Sequence, residues 1–216
     1  MKAADLFLRC LENEGVEYIF GVPGEENLDL MDALNESSIQ FVMTRHEQGA
    51  AFMADLVGRL TGKPGVCLST LGPGATNLVT GVADANMDNA PLVAIAGQAS
   101  TDRLHKESHQ VLDLVRMFEP ITGYASRVLS PSTIPETIRK AFKSATSLKG
   151  SASFIELPEN VAKMQVAGEQ PLCIEYSEPV QPAEGSVMRA AQLISEARSP
   201  IILVGHGVIR GRATEA

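Results

Sequence analysis

The sequence predicts an α/β fold, a doubly wound and mainly parallel six-stranded sheet with helices on both faces in three layers. Two patterns support this prediction. Six short apolar runs alternate with amphipathic segments over residues 1–165, and the run from Pro91 to Ala96 is apolar throughout. Alternating strands and helices are typical of a parallel sheet. A continuously apolar strand is typical of one that is buried on both faces.

Each element has its own local signal. Apolar side chains recur at helical spacing over residues 2–14 and stop at Gly15, which predicts a first helix. A turn at residues 21–24 ends the first strand, and Asn27 or a neighbour is expected to cap the next helix. The predicted strands span residues 16–20, 39–43, 65–70, 91–96, 124–129 and 152–157. The later predicted helices span residues 48–60, 75–87, 111–118 and 132–148.

The sequence pattern changes after residue 165, which predicts a domain boundary. Residues 166–184 are rich in Glu, Gln, Pro and Ser, a composition typical of a linker. A helix is then predicted at residues 186–198 and a strand at residues 200–204. Because one helix and one strand cannot bury their own apolar faces, we expect residues 185–216 to be the truncated start of a second domain.

Composition excludes several classes of partner and compartment. A formal net charge of -8 argues against nucleic acid or an anionic membrane surface as the main partner. No apolar run approaches the roughly 20 residues of a membrane span, and charged residues interrupt the amino-terminal helix pattern, unlike in a signal peptide. Cys10, Cys67 and Cys173 form no Cys-x-x-Cys motif. They are expected to be buried small apolar residues in a reducing compartment, by default the cytoplasm.

One edge of the predicted sheet collects residues that suit a ligand site. Right-handed crossovers bring all carboxyl ends of parallel strands to one edge, where ligands bind. Pro23, Glu47, Pro73 and Gln98 all fall there. Residues 49–51 are Gly-Ala-Ala, so a flat ring could approach the backbone beside the Glu47 carboxylate. The competing interpretation is that Glu47 is only a first-turn glutamate that the helix dipole favours.

The loop from Gly72 to Asn77 follows a strand and opens a helix, as phosphate-binding loops do. Its Gly-x-Gly-x-x-Asn pattern is one residue short of the dinucleotide fingerprint. That fold also needs an acidic residue at the end of the next strand. Gln98 ends that strand here, so a dinucleotide site is disfavoured.

His105 and His109 are spaced i, i+4, as two metal ligands on a helix would be. No further ligand completes a metal-site spacing, so two solvated histidines are the favoured interpretation.

Four motifs in this order closely resemble the acetohydroxyacid/acetolactate synthase family. They are Phe20-Gly21-Val22-Pro23-Gly24, Arg45-His46-Glu47-Gln48-Gly49-Ala50, Gly72-Pro73-Gly74-Ala75-Thr76-Asn77, and Asp88-x-x-Pro91 continuing to Gly97-Gln98. Members of this family depend on thiamine diphosphate. The resemblance covers residues 1–165 as the amino-terminal, pyrimidine-binding domain and residues 185–216 as the start of the middle domain.

The resemblance implies roles for particular residues. Glu47 would be the catalytic glutamate that hydrogen-bonds N1′ of the aminopyrimidine and promotes its imino form. The positions that match the lining of the pyrimidine pocket are Val22, Pro23, Gly24, Pro73, Asn77 and Gln98. Gln110 would lie in the substrate channel near the pyruvate-derived intermediate. No residue of this sequence is assigned as a metal ligand.

The resemblance also implies an activity, the condensation of two pyruvates to 2-acetolactate with release of CO₂, as in branched-chain amino acid biosynthesis or acetoin formation. The family's Gly-Asp-Gly motif, which holds Mg²⁺ and the diphosphate, is absent from this sequence. We therefore expect the chain alone to be inactive. Because the family's site forms between two subunits, the resemblance implies a homodimer or a dimer of dimers.

Two details bear on the exact reaction. His109-Gln110-x-x-Asp113 resembles the catabolic, flavin-free members, so FAD is disfavoured as a second cofactor. Glu25 stands where biosynthetic members commonly have glycine. Two alternatives therefore stay open. The protein could be another thiamine diphosphate-dependent 2-oxo-acid decarboxylase or carboligase, such as glyoxylate carboligase or sulfoacetaldehyde acetyltransferase, or it could be a non-catalytic module of the same fold. A nucleotide-binding oxidoreductase is a third class, which titration with NAD or FAD would test.

Overall fold

A computed structural model describes residues 1–106, 108–147, 149–174, 181–211 and 213 of the chain. Within these residues, six strands form one sheet in which every neighbouring pair is parallel. The strands are β1 (Tyr18–Gly21), β2 (Gln40–Met43), β3 (Gly65–Ser69), β4 (Leu92–Gln98), β5 (Tyr124–Arg127) and β6 (Ala152–Pro158), in the order β2-β1-β3-β4-β6-β5. This sheet confirms the predicted fold class and all six strands that the sequence predicted for residues 1–165.

The helices connect these strands and cover both faces of the sheet. They are α1 (Ala3–Asn13), α2 (Leu28–Ala33), α3 (Glu47–Thr61), α4 (Pro73–Met87), α5 (Leu114–Phe118), α6 (Ile134–Ala145) and α7 (Glu159–Ala162). The predicted helix at 111–118 begins later, because the Asp113 side chain caps α5 by accepting a hydrogen bond from Arg116 N (3.4 Å). Leu148, the predicted end of the helix that became α6, lies outside the described residues.

Two apolar cores lie on opposite faces of the sheet because successive strand residues point to opposite sides. On β4, Val93 and Ile95 join the core beneath α1, α2 and α6. Leu92, Ala94 and Ala96 join the core beneath α3, α4 and α5. All five side chains are at most 1% exposed. Because both faces of β4 are buried, its sequence is a continuous apolar run.

The strand order locates the crevice where α/β proteins bind ligands. From β1 the chain passes to β2 on one side and then to β3 on the other, so connections diverge between β1 and β3. Ligands bind outside the carboxyl ends of the strands at such a switch point. The loops after β1 and β3 therefore flank the crevice, and Glu47 follows the neighbouring strand β2.

The chain divides into two compact units, Met1–Ile174 and Glu175–Ala216. The second unit contains α8 (Glu184–Glu196) and α9 (His206–Arg210). The strand predicted at residues 200–204 is wrong. These residues have no regular structure, and Leu203 is 98% exposed. A strand needs a pairing partner, and the described part of this unit offers none. Residues 175–180 of the predicted linker lie outside the described residues.

Among the residues described, no helix has both the length and the apolar character required to cross a membrane.

Candidate functional site

Glu47 is the first residue of α3, at the point where β2 gives way to helix. The bend is held by Thr44, whose N donates to Gly21 O (2.8 Å) and whose Oγ1 donates to His46 O (3.1 Å). His46 Nδ1 caps the helix by accepting from Gln48 N (3.1 Å). The Glu47 side chain is half-buried, so the crevice partly removes it from water.

The Glu47 carboxylate is held through one of its two oxygens. Asn77 Nδ2 donates a hydrogen bond of 2.9 Å to Glu47 Oε2. No group in the part of the chain that the structure describes donates to Oε1. One carboxylate oxygen is thus fixed by α4, and the other keeps its hydrogen-bonding capacity for a ligand.

Close packing of α3 on α4 makes this hydrogen bond geometrically feasible. Ala50 and Ala51 are fully buried. A Cβ at Gly81 of α4 would lie only 2.6 Å from Ala51 Cβ. The sequence suggested that a flat ring could approach the backbone at residues 49–51. In the structure, the two alanines serve helix packing instead and offer no surface to such a ring. Gly49 does face open space, since a Cβ there would meet nothing within 4 Å.

A single guanidinium joins the carboxyl-terminal ends of the same two helices. Arg59 Nε donates to Asp55 Oδ2 at 2.8 Å, and its two terminal nitrogens reach Asp84 (2.9 Å) and Asp88 (2.5 Å). Burial raises the pKa of the Asp55 carboxyl, and Arg59 offsets part of that effect. These aspartates hold the pKa of Arg59 above its usual range, chiefly through the hydrogen bond to Asp88. The α3–α4 pair is thus fastened at the end opposite Glu47.

Thr70 brings the loops after β1 and β3 together, and none of the sequence motifs above pointed to it. A Cβ at Gly24 would lie 2.5 Å from Thr70 Cβ, and one at Gly74 would lie 3.0 Å from Thr70 Cγ2 and 3.4 Å from Glu47 Oε1. Thr70 Oγ1 also donates to Glu26 Oε2 (2.6 Å). A polar residue between a buried strand and a glycine-rich loop is the signal that could have identified it.

Asn27 leaves a buried donor beside the Gly24 loop. Instead of capping α2 with its side chain, Asn27 accepts a hydrogen bond from Gly24 N at its Oδ1 (2.9 Å). Its Nδ2 is buried and has no partner among the described residues. The Asn27 side chain, which was predicted to cap α2, therefore orders the loop after β1 instead. Its Nδ2 group remains available as a hydrogen-bond donor.

Gln110 lies beside the loop that opens α4. Gly72 adopts a φ of 54°, and a Cβ there would lie 2.6 Å from Gln110 O. Gln110 itself is exposed and has a φ of 58°, a left-handed conformation uncommon for residues other than glycine. Gln110 thus joins the crevice edge through backbone contact with Gly72.

The remaining predicted residues also lie at the carboxyl edge, with different environments. Val22 N donates to Leu68 O (3.2 Å). Pro23 is exposed in the loop after β1, and Pro73 is exposed as the first residue of α4. Gln98 is 0% exposed. Its Nε2 donates to Leu112 O (3.0 Å), and its Oε1 accepts from Ala99 N (2.9 Å). The Gln98 amide therefore holds the segment after β4, and no contact joins it to Glu47.

Among the described residues, no cluster of three or more His, Cys, Asp or Glu side chains could hold a metal ion.

The fold, together with a Glu47 carboxylate that is bound through only one of its oxygens, defines a class of protein. Comparison with known protein families identifies that class. Residues 1–117 match the family described as thiamine pyrophosphate enzyme, N-terminal TPP binding domain. The match covers more than half of the chain, and the chain belongs to this family.

Curated relatives carry a more specific name. The chain is 40% identical over 228 residues to a probable acetolactate synthase large subunit of Methanocaldococcus jannaschii, covering 100% of this chain and 37% of the relative. It is 40% identical over 205 residues to acetolactate synthase of Bacillus subtilis, covering 94% and 36%. It is 39% identical over 202 residues to the catabolic acetolactate synthase of Raoultella terrigena, also covering 94% and 36%. The chain therefore spans little more than a third of the length of these relatives.

Proposed function

We propose that this chain is the pyrimidine-binding part of a thiamine diphosphate-dependent acetolactate synthase, a C–C bond-forming transferase or lyase that condenses two pyruvates to 2-acetolactate. The family match and the names of the relatives support the class of enzyme. The observation that carries the catalytic assignment is the Glu47 carboxylate, with Oε2 bound to Asn77 and Oε1 left for a ligand. On this proposal Glu47 is the catalytic residue of the chain.

The described residues fit an aminopyrimidine at this point. Such a ring offers nitrogen acceptors and an amino donor, and the crevice edge offers the complementary groups. Glu47 Oε1 can share a proton with a ring nitrogen, and the buried Asn27 Nδ2 can donate to another acceptor. Gly49 leaves the backbone beside Glu47 accessible to a flat ring, since a Cβ there would meet nothing within 4 Å.

When bound, thiamine diphosphate would supply nucleophilic carbon chemistry at its thiazolium ring. Glu47 would hold a proton at Oε1 for a ring nitrogen of the aminopyrimidine and would so promote the tautomer that activates the cofactor. Asn77 orients the carboxylate by donating to Oε2, and the α3–α4 packing fixes that orientation. Preorganised groups of this kind act without reorganising during the reaction.

The proposed pocket has further members, and the proposed domain boundaries follow the sequence analysis. Val22, Pro23, Gly24, Pro73 and Gln98 line the pyrimidine site, and Gln110 faces pyruvate or another small 2-oxo acid. Residues 1–165 form the pyrimidine-binding domain, residues 166–184 the linker, and residues 185–216 the start of the middle domain. Mg²⁺ and the diphosphate are anchored outside this chain, FAD is disfavoured as a second cofactor, and the protein works as a homodimer or dimer of dimers.

The experiment that tests the proposed reaction uses the full-length protein with thiamine diphosphate, Mg²⁺ and pyruvate. Acetolactate is scored as acetoin after acid decarboxylation, in protein that is free of flavin. We expect acetolactate formation without added FAD. Acetaldehyde without acetolactate would assign the protein to a decarboxylase, and turnover of glyoxylate or sulfoacetaldehyde in place of pyruvate would assign it to another carboligase or acetyltransferase.

A further inference from the structure

The segment between β4 and α5, residues 99–113, carries Gln110 and is only partly supported by apolar packing. We call it the β4–α5 segment. An open pocket of about 270 Å³ is lined by this segment and β5; the lining residues are Leu104, Lys106, Val111, Leu112, Asp113 and Arg127. Because side chains that line an open pocket make apolar contacts on fewer sides, polar contacts contribute to the position of the segment.

Polar contacts fasten the segment at both ends. At its start, Thr101 N donates to Asn160 Oδ1 (3.0 Å), and Asn160 Nδ2 donates to Thr101 Oγ1 (2.9 Å). At its other end, Gln98 Nε2 donates to Leu112 O (3.0 Å), and Arg127 Nη2 lies 3.9 Å from Asp113 Oδ1. The contacts made by Leu112 and Asp113 are the ones next to Gln110 in the sequence.

Arg127 is itself held by a buried carboxylate. Its Nε donates to Glu156 Oε1 (2.6 Å) and its Nη2 to Glu156 Oε2 (3.4 Å). The Glu156 side chain is 0% exposed, whereas those of Arg127 and Asp113 are 27% and 64% exposed. Burial raises the pKa of the Glu156 carboxyl, and Arg127 opposes that effect. An apolar pair would avoid this desolvation, so the ionic pair calls for a role besides stability.

We propose that Glu156 and Arg127 are positioning residues for Gln110. Glu156 fixes the guanidinium of Arg127, which in turn holds Asp113 at the start of α5. Three residues earlier, Gln110 lies against Gly72, where an added Cβ would be 2.6 Å from Gln110 O. The pair on β5 and β6 therefore determines where Gln110 meets the loop that opens α4. This inference rests on the proposed function, which gives Gln110 its place beside the substrate.

The test compares two buried ion pairs in the full-length protein. Glu156→Gln weakens the pair behind the β4–α5 segment. Glu14→Gln is the matched control, because Arg139 Nη1 donates to Glu14 at 2.7 and 2.5 Å and the two side chains are only 18% and 6% exposed. That control pair joins α6 to the end of α1, on the opposite face of the sheet.

Amide hydrogen exchange followed by mass spectrometry gives the primary readout. In Glu156→Gln we expect peptides from the β4–α5 segment to exchange about tenfold faster, the loss expected for one charge-assisted hydrogen bond. Peptides from α3 and α4 should keep the wild-type rate. In Glu14→Gln the segment should exchange as in the wild type. Unchanged exchange of the segment in Glu156→Gln, or an equal increase in α4, overturns the proposal.

Kinetics distinguish positioning from a general loss of stability. With pyruvate, we expect KM to rise about tenfold in Glu156→Gln while kcat stays within about twofold, because substrate contact is lost without damage to the cofactor site. Glu14→Gln should leave both constants unchanged. A fall in kcat with KM unchanged contradicts the positioning role.

A second variant covers the case in which Glu156→Gln does not fold. The double variant Glu156→Gln/Arg127→Met removes both charges, so no buried charge is left without its partner. The proposal requires faster exchange of the β4–α5 segment in this variant too, and wild-type exchange there overturns it. Failure of the proposed function is seen separately, as absence of acetolactate formation by the wild type, because the exchange measurement needs no substrate.

Discussion

Asn77 Nδ2 lies 2.9 Å from Glu47 Oε2, and this hydrogen bond joins the helix after β3 to the helix after β2. The helix dipole alone would explain a glutamate in the first turn of a helix. The hydrogen bond to Asn77 additionally fixes the orientation of the carboxylate and occupies one of its two oxygens. A glutamate that served only the dipole would need no partner on another helix.

The first prediction concerns the group that orients Glu47. Asn77→Ala in the full-length protein should slow cofactor activation about 10- to 150-fold, since one hydrogen bond to a charged group contributes about 1.5–3 kcal/mol. Asn77→Asp should be slower still, because two carboxylates would then face each other. The measurement is C2 proton exchange of bound thiamine diphosphate.

The matched control for this variant is Asn86→Ala, on the same helix. Asn86 Oδ1 accepts a hydrogen bond from Ala152 N (3.2 Å) and makes no contact with Glu47. Its removal should lower stability without slowing C2 exchange. If Asn77→Asp activates the cofactor as fast as the wild type, Asn77 does not orient the carboxylate.

The second prediction concerns the α3–α4 contact. Gly81→Ala should destabilise the protein by about 1–3 kcal/mol, the usual effect of overpacking, because the new Cβ would lie 2.6 Å from Ala51 Cβ. Adding Ala51→Gly should recover part of the loss, which a double-mutant cycle on the thermal unfolding midpoint would measure. Recovery should be partial, since Ala51 C and Phe52 N would still lie 3.1 Å away.

Gly185→Ala in α8 is the control for this cycle, because a Cβ there meets nothing within 4 Å. It should be neutral or stabilising, as expected for alanine replacing glycine in a helix. Additive effects of Gly81→Ala and Ala51→Gly would show that the two positions do not contact each other.

The third prediction concerns the three cysteines. Burial raises the pKa of the Cys10 and Cys67 thiols to about 12. Cys173 is exposed, so the prediction that all three cysteines are buried is wrong for this residue. The thiolate is the reactive species, so iodoacetamide at about pH 8 should alkylate Cys173 and spare the other two. Peptide mass spectrometry before and after denaturation measures this, and all three should react once the chain is unfolded. Rapid native labelling of Cys67 would contradict the buried position of β3.

The fourth prediction concerns pH and the Glu156 carboxyl, whose pKa is raised by burial against the opposing effect of Arg127. A raised carboxyl pKa means that the folded state binds the proton more tightly. The associated stability is therefore present below the unfolded value of about 4.3 and is lost as pH rises through the folded pKa. As pH rises above about 4.3, the wild-type melting temperature should therefore fall more than that of Glu156→Gln. Parallel pH profiles would contradict this linkage.

Much of the fold could be predicted because local and tertiary signals agree. The apolar run that became β4 is buried on both faces, and the glycine at 62 ends α3 with a φ of 73°. The failures arise where tertiary contacts decide. Residues 200–204 are apolar and three of them are β-branched, yet an apolar run forms no strand without a neighbouring strand. The onset of α5 depends on which residue supplies the cap.

The candidate site divides in the same way. Glu47 and Asn77 could be placed at one edge from the strand–helix alternation, but their hydrogen bond depends on how closely α3 and α4 approach. That approach rests on Gly81 and Ala51, whose partners are not evident from sequence spacing. Gln98 was expected at the crevice, and its position at the end of β4 agrees. The choice of Leu112 O as its partner depends on the path of the β4–α5 segment, which no local pattern fixes.

The most direct test of the central claim is C2 proton exchange of thiamine diphosphate bound to the full-length Glu47→Gln variant, with Glu25→Gln as the control. Glu25 is an exposed acid after the Gly24 loop, so its loss leaves the carboxylate at position 47 unchanged. We predict that Glu47→Gln exchanges about 10²–10⁴-fold more slowly than the wild type, because a neutral amide cannot share the proton at N1′, and that Glu25→Gln exchanges normally. Near-normal exchange in Glu47→Gln would contradict the role assigned to this carboxylate.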